Sequence, residues 1–269
     1  MTFPQIDPVI FSLGPLHVRW YGLMYVLGFI ASYYLVKYQI RKFQFDQLTE
    51  HFENLNMTLL FSVIIGGRLG YVLFYNPSYY FANPLDIPAT WHGGMSFHGA
   101  CFTLVIAGFL FCRRYKLNFW KTADIYVATA PIGLFFGRIG NFINGELFGR
   151  VTEHPIGMIF PGGGPLPRHP SQIYEAFLEG IVLFIVLWSV KNRPWNTHAK
   201  SWPHGSILAL FLIAYGVFRT IIENFREPDQ QLGFILSHIT MGQILSGIMI
   251  IAGALIWGIQ ARQEIKTPE

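Results

Sequence analysis

Arginines set among apolar residues are where this sequence carries chemistry. In AYGVFRTIIENFR, residues 214–226, Arg219, Glu223 and Arg226 recur at i, i+4 and i+7 and so share one helix face. A charged stripe of that kind must face protein or water. Arg138 stands in GLFFGRIGNFINGELFGR, residues 133–150, where Arg138, Asn141 and Asn144 recur every three residues and Gly137, Gly140, Gly145 and Gly149 permit close backbone approach. Arginine offers a planar fork of donors that holds phosphate in a bidentate way, and a charge within a membrane is costly enough to mark function or a buried partner. Two readings stay open on position alone. Arg138 and Arg219 either snorkel to an interface or pair with acids, or they form with the neighbouring amides a cradle for a phosphorylated ligand. An ion pair between Arg219 and Glu223 is expected as one component, and it leaves arginine donors for phosphate.

Histidines and tyrosines are the remaining polar candidates. His98, in HGGMSFHGA at the start of a predicted helix, has an imidazole whose ordinary pKa of about 6.5 lets it accept a proton. His169, in RHPSQIYE, is a second candidate, although His-Pro before a helix equally suits a capping turn with Ser171 near its start. Tyr21, Tyr71, Tyr174 and Tyr215 read as polar lining or as interfacial anchors. No HExxH, paired CxxC or dense carboxylate cluster provides metal-ligand spacing, and no GxSxG supports a serine nucleophile. Neither metal nor cofactor is expected.

Those residues need elements to hold them, and the composition says which. Of 269 residues 52% are hydrophobic and 13% charged, against about 25% charged in a soluble domain. The apolar residues fall into runs long enough to cross a hydrocarbon core about 30 Å thick. We place spans at about 18–38, 57–75, 97–113, 121–140, 171–190, 205–225 and 240–261. The expected fold is an all-α integral membrane protein of about seven transmembrane helices, one polytopic domain over 1–269. Its longer connections, about 76–96 and 141–170, are rich in Gly, Pro and aromatics and read as interfacial or re-entrant structure. The first fifteen residues lack a basic n-region and a small-residue cleavage site, so the first apolar run is expected to remain as a span.

Orientation follows from the basic residues. An outer N-terminus leaves Lys37, Arg41, Lys42, Arg113, Arg114, Lys116, Lys121, Lys191, Arg193, Lys200, Arg262 and Lys266 inside, with Arg19, Arg138, Arg150, Arg168, Arg219 and Arg226 outside and Arg68 mid-span. The C-terminus is then cytoplasmic. The net charge of +4 reflects this distribution and gives no independent support for nucleic-acid binding. Cys101 and Cys112 lie eleven residues apart in one predicted helix, too far along its axis for a disulfide between them.

Taken together, RWYGLMY, GGRLGYVLFYN, GGMSFHG, GRIGNFINGELFGR, RHPSQIYE and YGVFRTIIENFREPD closely resemble the prolipoprotein diacylglyceryl transferase family, over roughly residues 7–250. The resemblance implies a multi-pass enzyme of the bacterial cell inner membrane with its active site toward the periplasm. It implies transfer of the diacylglyceryl group of phosphatidylglycerol to the lipobox cysteine thiol of a prolipoprotein signal peptide. A thioether forms and glycerol phosphate leaves, the first step of bacterial lipoprotein maturation. By the same resemblance Arg138 binds phosphatidylglycerol, His98 is the family's important histidine and Arg219 its essential arginine, while Tyr21, Asn141, Glu146, Gly149, Tyr215 and Glu223 match functionally important positions. The residue chemistry agrees, because phosphate leaving from the glycerol carbon gathers charge that preorganised arginines stabilise, and His98 is the leading base for the thiol. The rival class is a lipid or small-anion transporter using the same arginines; inverted repeats or paired broken helices would favour it, and the sequence shows neither. An intramembrane protease lacks a Ser-His or paired-Asp motif.

Overall fold

The computed structural model describes residues 1–4, 6–14, 16–90, 93–196, 202–227, 234–235 and 239–266. Lys200, used above for orientation, and Pro228 and Asp229 at the end of the last motif lie outside the described residues. Helix occupies each of the seven apolar stretches. α1 is Trp20–Lys42 and α2 is Asp46–Phe74; after the short α3, Pro77–Ala82, come α4, Phe97–Arg114, then α5, Phe119–Val127, and α6, Ala130–Ile143. α7, Ser171–Glu175, runs into a π-helical segment, Ala176–Val182, and on into α8, Leu183–Val190, followed by α9, Ser206–Ile222, and α10, Met241–Lys266.

Among the described residues four helical stretches are long and apolar enough to cross a membrane: Asp46–Phe74, Phe97–Arg114, Ser171–Trp195 and Met241–Gln263. Their outward faces carry exposed Phe61 and Ile65, Phe102 and Val105, and Ile251 and Leu255, side chains that hydrocarbon solvates and water does not. α9 is a shorter apolar helix of 17 residues. The expected helix over 121–140 is instead two, α5 and α6. The reason is Pro131, whose ring would meet the carbonyl of Val127 and which has no N–H to give, so it stands in the opening turn of a new helix.

Among the described residues the fold is mostly, not wholly, helical, which corrects the all-α expectation. Val9–Leu13 (β1) and Leu16–Arg19 (β2) pair antiparallel ahead of α1, with Gly14 at φ +58° in the reversal. Val9, Ile10, Phe11 and Val18 are β-branched or aromatic, types that favour such pairing. A second small hairpin, Phe234–Ile235 (β3) with Ile239–Thr240 (β4), leads into α10.

The chain forms two compact units, residues 1–39 with 123–269, and residues 40–122. In the first, α10 packs along α9 and α6 packs on the π-helical segment. A Cβ at Gly180 would stand 2.7 Å from Phe135 Cβ and 3.0 Å from its Cα, so only glycine lets α6 approach this closely. Ala128, Leu183, Leu187 and Ile207 are fully buried beneath Phe211, Tyr215 and Phe218. The start of α9 is fixed by Asp124, whose carboxylate accepts the backbone N–H of Gly205 at 2.7 Å and of Leu208 at 3.0 Å.

In the second unit α2 and α4 run antiparallel, with the Thr103 hydroxyl donating to the Ser62 carbonyl at 2.8 Å and Ser96 capping α4 by accepting from the Gly99 N–H at 3.2 Å. Arg68, expected mid-span, is buried in the last two turns of α2. Its guanidinium donates to the carbonyls of Ile87 and Asp86, each at 2.7 Å, and to those of Gly93 and Gly94, so it fastens these loop residues to α2 and is a structural residue.

Candidate active site

Six charged side chains converge where α6 ends, α7 passes into the π-helical segment and α9 ends. Glu175 is the hub: Arg138 Nε lies 2.6 Å from its Oε2, and Arg226 Nη1 and Arg219 Nη1 lie 2.9 Å and 3.4 Å from its Oε1. Glu179 stands 3.6 Å from Arg138 Nη2 and 3.7 Å from Arg219 Nη1. Glu223 completes the set, 2.6 Å from Arg219 Nη2 and accepting the Thr240 hydroxyl at 2.7 Å. Arg138, Arg219 and Arg226 therefore face Glu175, Glu179 and Glu223, three charges against three.

Burial divides the cluster into a floor and an open side. The Glu175 and Glu179 side chains are 0% exposed, whereas those of Arg138, Arg219 and Arg226 retain 18%, 14% and 12%. Carboxylates buried this deeply need paired cations, and the arginines supply them. The same arginines keep surface for an anion. Glu175 and Glu179 meet them because α7 leads directly into wider π-helical turns, and such segments recur at functional sites.

A second polar group lies in the same unit after α6. Glu146 Oε1 accepts from Asn141 Nδ2 at 2.9 Å and Asn144 Nδ2 at 3.2 Å, while its backbone carbonyl accepts from Gln172 Nε2 at 2.6 Å. Tyr21 pairs its hydroxyl with that of Tyr25 at 3.0 Å and faces Asn141 and Glu146. Two amides, a carboxylate and phenols together can hold the hydroxyls of a polar headgroup.

The expected site residues are thus distributed. Arg138, Arg219, Tyr215 and Glu223 come together in the charged cluster, where the Tyr215 phenol interacts with both buried carboxylates. Tyr21, Asn141 and Glu146 form the second group. Gly149 carries no chemistry of its own: its N–H donates to the His169 carbonyl at 2.8 Å, and a Cβ would collide with the Phe225 carbonyl oxygen and approach His169 Cβ to 2.8 Å. Arg150 beside it donates to the carbonyls of Arg226 at 2.8 Å and Glu223 at 3.2 Å, holding the chain that follows α9. His98 lies in the other compact unit, exposed on the first turn of α4 with its ring 5.9 Å from that of Phe97.

His169 bonds through Nδ1 to the Tyr174 hydroxyl at 3.1 Å and packs on Phe225, so it orders the loop before α7. Burial and then neighbouring His154 lower its pKa below the usual histidine value. Tyr71 stacks on Tyr75 in the second unit. Both cysteines are free in α4, Cys101 exposed at its surface and Cys112 buried. Glu175 and Glu179 were absent from the expected site. Their signal was present, because they are the only ionisable acids in the apolar run 173–190, and such a residue within a span marks a site or a buried partner.

The chain is similar to known proteins along nearly its whole length. Residues 8–259 match the family model described as prolipoprotein diacylglyceryl transferase. A protein of Desulfotalea psychrophila named phosphatidylglycerol–prolipoprotein diacylglyceryl transferase is 65% identical over 256 residues, covering 95% of this chain and 94% of its own. Relatives of the same name from Rickettsia felis and Rickettsia akari are 50% and 51% identical, each over 95% of this chain and 97% of theirs.

Proposed function

The chain belongs to the prolipoprotein diacylglyceryl transferase family, and from that premise we propose that its arginine cluster binds the headgroup phosphate of phosphatidylglycerol and stabilises it as it leaves. The protein is a transferase that moves the diacylglyceryl group from phosphatidylglycerol to prolipoprotein, the first step of lipoprotein maturation. The observation that carries the site assignment is that Arg138 and Arg219 share two fully buried carboxylates and still keep accessible surface. Fixed guanidinium groups, oriented before substrate arrives, stabilise charge gathering on phosphate without reorganising at the moment of reaction.

In this reading the lipobox cysteine sulfur attacks the glycerol carbon, the carbon–oxygen bond breaks with its electron pair going to the phosphate, and a thioether and glycerol phosphate result. Arg138 and Arg219 hold the phosphate, Glu223 orients Arg219, and Tyr215 lines the cluster. Tyr21, Asn141 and Glu146 receive the headgroup hydroxyls, and Gly149 keeps the loop close to the end of α9. His98 takes the thiol proton. The protein crosses the bacterial inner membrane about seven times as one polytopic domain, N-terminus out and C-terminus in, with its site toward the periplasm and no cofactor.

The test is to incubate purified protein with phosphatidylglycerol and a lipobox peptide and to analyse the peptide by mass spectrometry. Thioether product with release of glycerol phosphate is expected. Movement of phosphatidylglycerol across a vesicle bilayer with no modified peptide would refute the reading and favour a transporter.

A further inference from the structure

Glu179 is a member of the charged cluster to which the proposed reaction gives no task. Its side chain is fully buried, and neither carboxylate oxygen has a hydrogen-bond partner among the described residues. Its ties to Arg138 and Arg219, 3.6 Å and 3.7 Å, are looser than the 2.6 Å and 2.9 Å contacts that bind Glu175 to Arg138 and Arg226. Tyr215 also faces it, and Glu175 repels it. A structural counterion would be expected to accept hydrogen bonds as Glu175 does, whose Oε1 receives them from Arg226 at 2.9 Å and Arg219 at 3.4 Å. Glu179 instead sits behind the two guanidinium groups and competes for their charge.

We propose that Glu179 is a positioning residue that tempers the arginine pair, so that the site holds a phosphodiester without trapping the phosphomonoester that leaves. The inference rests on the reading that Arg138 and Arg219 receive the headgroup phosphate. With three cations balanced by three carboxylates, an incoming monoanion brings one uncompensated charge and a dianion two. The diester substrate stays singly charged, whereas the released monoester approaches a second charge with a pKa of about 6. Repulsion from Glu179 therefore weighs about twice as heavily on product as on substrate. Across a guanidinium, ~7 Å away at an effective dielectric constant of about 20, one such charge changes the affinity for a monoanion roughly ten- to fiftyfold.

The test is equilibrium binding of phosphatidylglycerol in mixed micelles, and separately of glycerol phosphate, to the wild-type and Glu179→Gln proteins, with steady-state and single-turnover rates. Glu179→Gln is expected to bind both ligands more tightly, glycerol phosphate by the larger factor. KM and kcat should fall together under product inhibition while the single-turnover rate is kept. A merely structural role would weaken binding and leave no such split. Unchanged or weaker affinity in folded Glu179→Gln overturns the proposal. Should that variant not fold, Glu179→Asp, which withdraws the carboxylate by one methylene, must show the same direction. Arg138→Lys and Arg219→Lys separate the two levels, since phosphatidylglycerol affinity unaffected in both would sink the headgroup reading itself.

Discussion

Replacing Glu175 by Gln keeps its shape and removes the one charge that three arginines share. Glu175 is fully buried and meets Arg138 at 2.6 Å, Arg226 at 2.9 Å and Arg219 at 3.4 Å. Breaking a buried pair costs about 3–5 kcal/mol because the surviving charge is left uncompensated. Two features of the cluster pull the value toward the lower end. Arg219 keeps Glu223 at 2.6 Å and Arg138 keeps Glu179 at 3.6 Å, and the arginine side chains retain 12–18% exposure to solvent. We expect Glu175→Gln to be destabilised by about 3 kcal/mol. Unfolding of the purified protein in one detergent, followed by tryptophan fluorescence or by loss of the monodisperse gel-filtration peak, reads the shift. Catalytic rate measured below the transition should fall as well, because guanidinium groups that have lost their anchor are no longer fixed for phosphate. A variant within about 1 kcal/mol of wild type, with normal turnover, would show that the hub does not hold the arginines.

Arg138→Lys and Arg219→Lys should each lower kcat/KM by about a hundredfold in folded protein, since lysine keeps the charge and loses the fork; near-normal turnover in both would remove the bidentate clamp. Gly149→Ala should destabilise by about 2 kcal/mol or more, because its Cβ meets the Phe225 carbonyl and His169 where backbone cannot yield, and a thermal midpoint equal to wild type contradicts that geometry. His98→Gln should depress the single-turnover rate more than phosphatidylglycerol affinity, a pattern that reverses if the histidine only binds lipid. The Cys101→Ala, Cys112→Ala double variant should retain most activity, while a lipobox peptide with serine in place of cysteine yields no thioether. A diacylglyceryl adduct on either enzyme cysteine that proceeds to product would replace direct transfer.

The positions of the helices were legible because the hydrophobic run is a local property: about 20 apolar residues suffice to cross the hydrocarbon core wherever the rest of the chain goes. The stripe of Arg219, Glu223 and Arg226 was legible for the same reason, since its spacing depends only on the helical repeat, and the Arg219–Glu223 pair forms at 2.6 Å. The break before α6 was also written locally, in Pro131, but a hydropathy window averages across it. Gly14 and the β-branched residues around it signalled a hairpin, and the nearby span masked it.

The charge balance of the site could not be read from any local pattern. Glu175 lies 44 residues from Arg219 and 51 from Arg226 in sequence, and an acid in an apolar run marks a buried partner without naming it until α6 and α9 are placed beside it. Gly180 decides that placement by admitting Phe135, and a small residue in a helix does not name its partner. Sequence alone therefore determined which residues are charged within apolar helices and that arginines of this kind suit phosphate. Tertiary structure decided that the arginines stand on two buried carboxylates, because a charge removed from water is stabilised by whatever the fold brings within a few ångströms of it, and that partner is set by packing between helices.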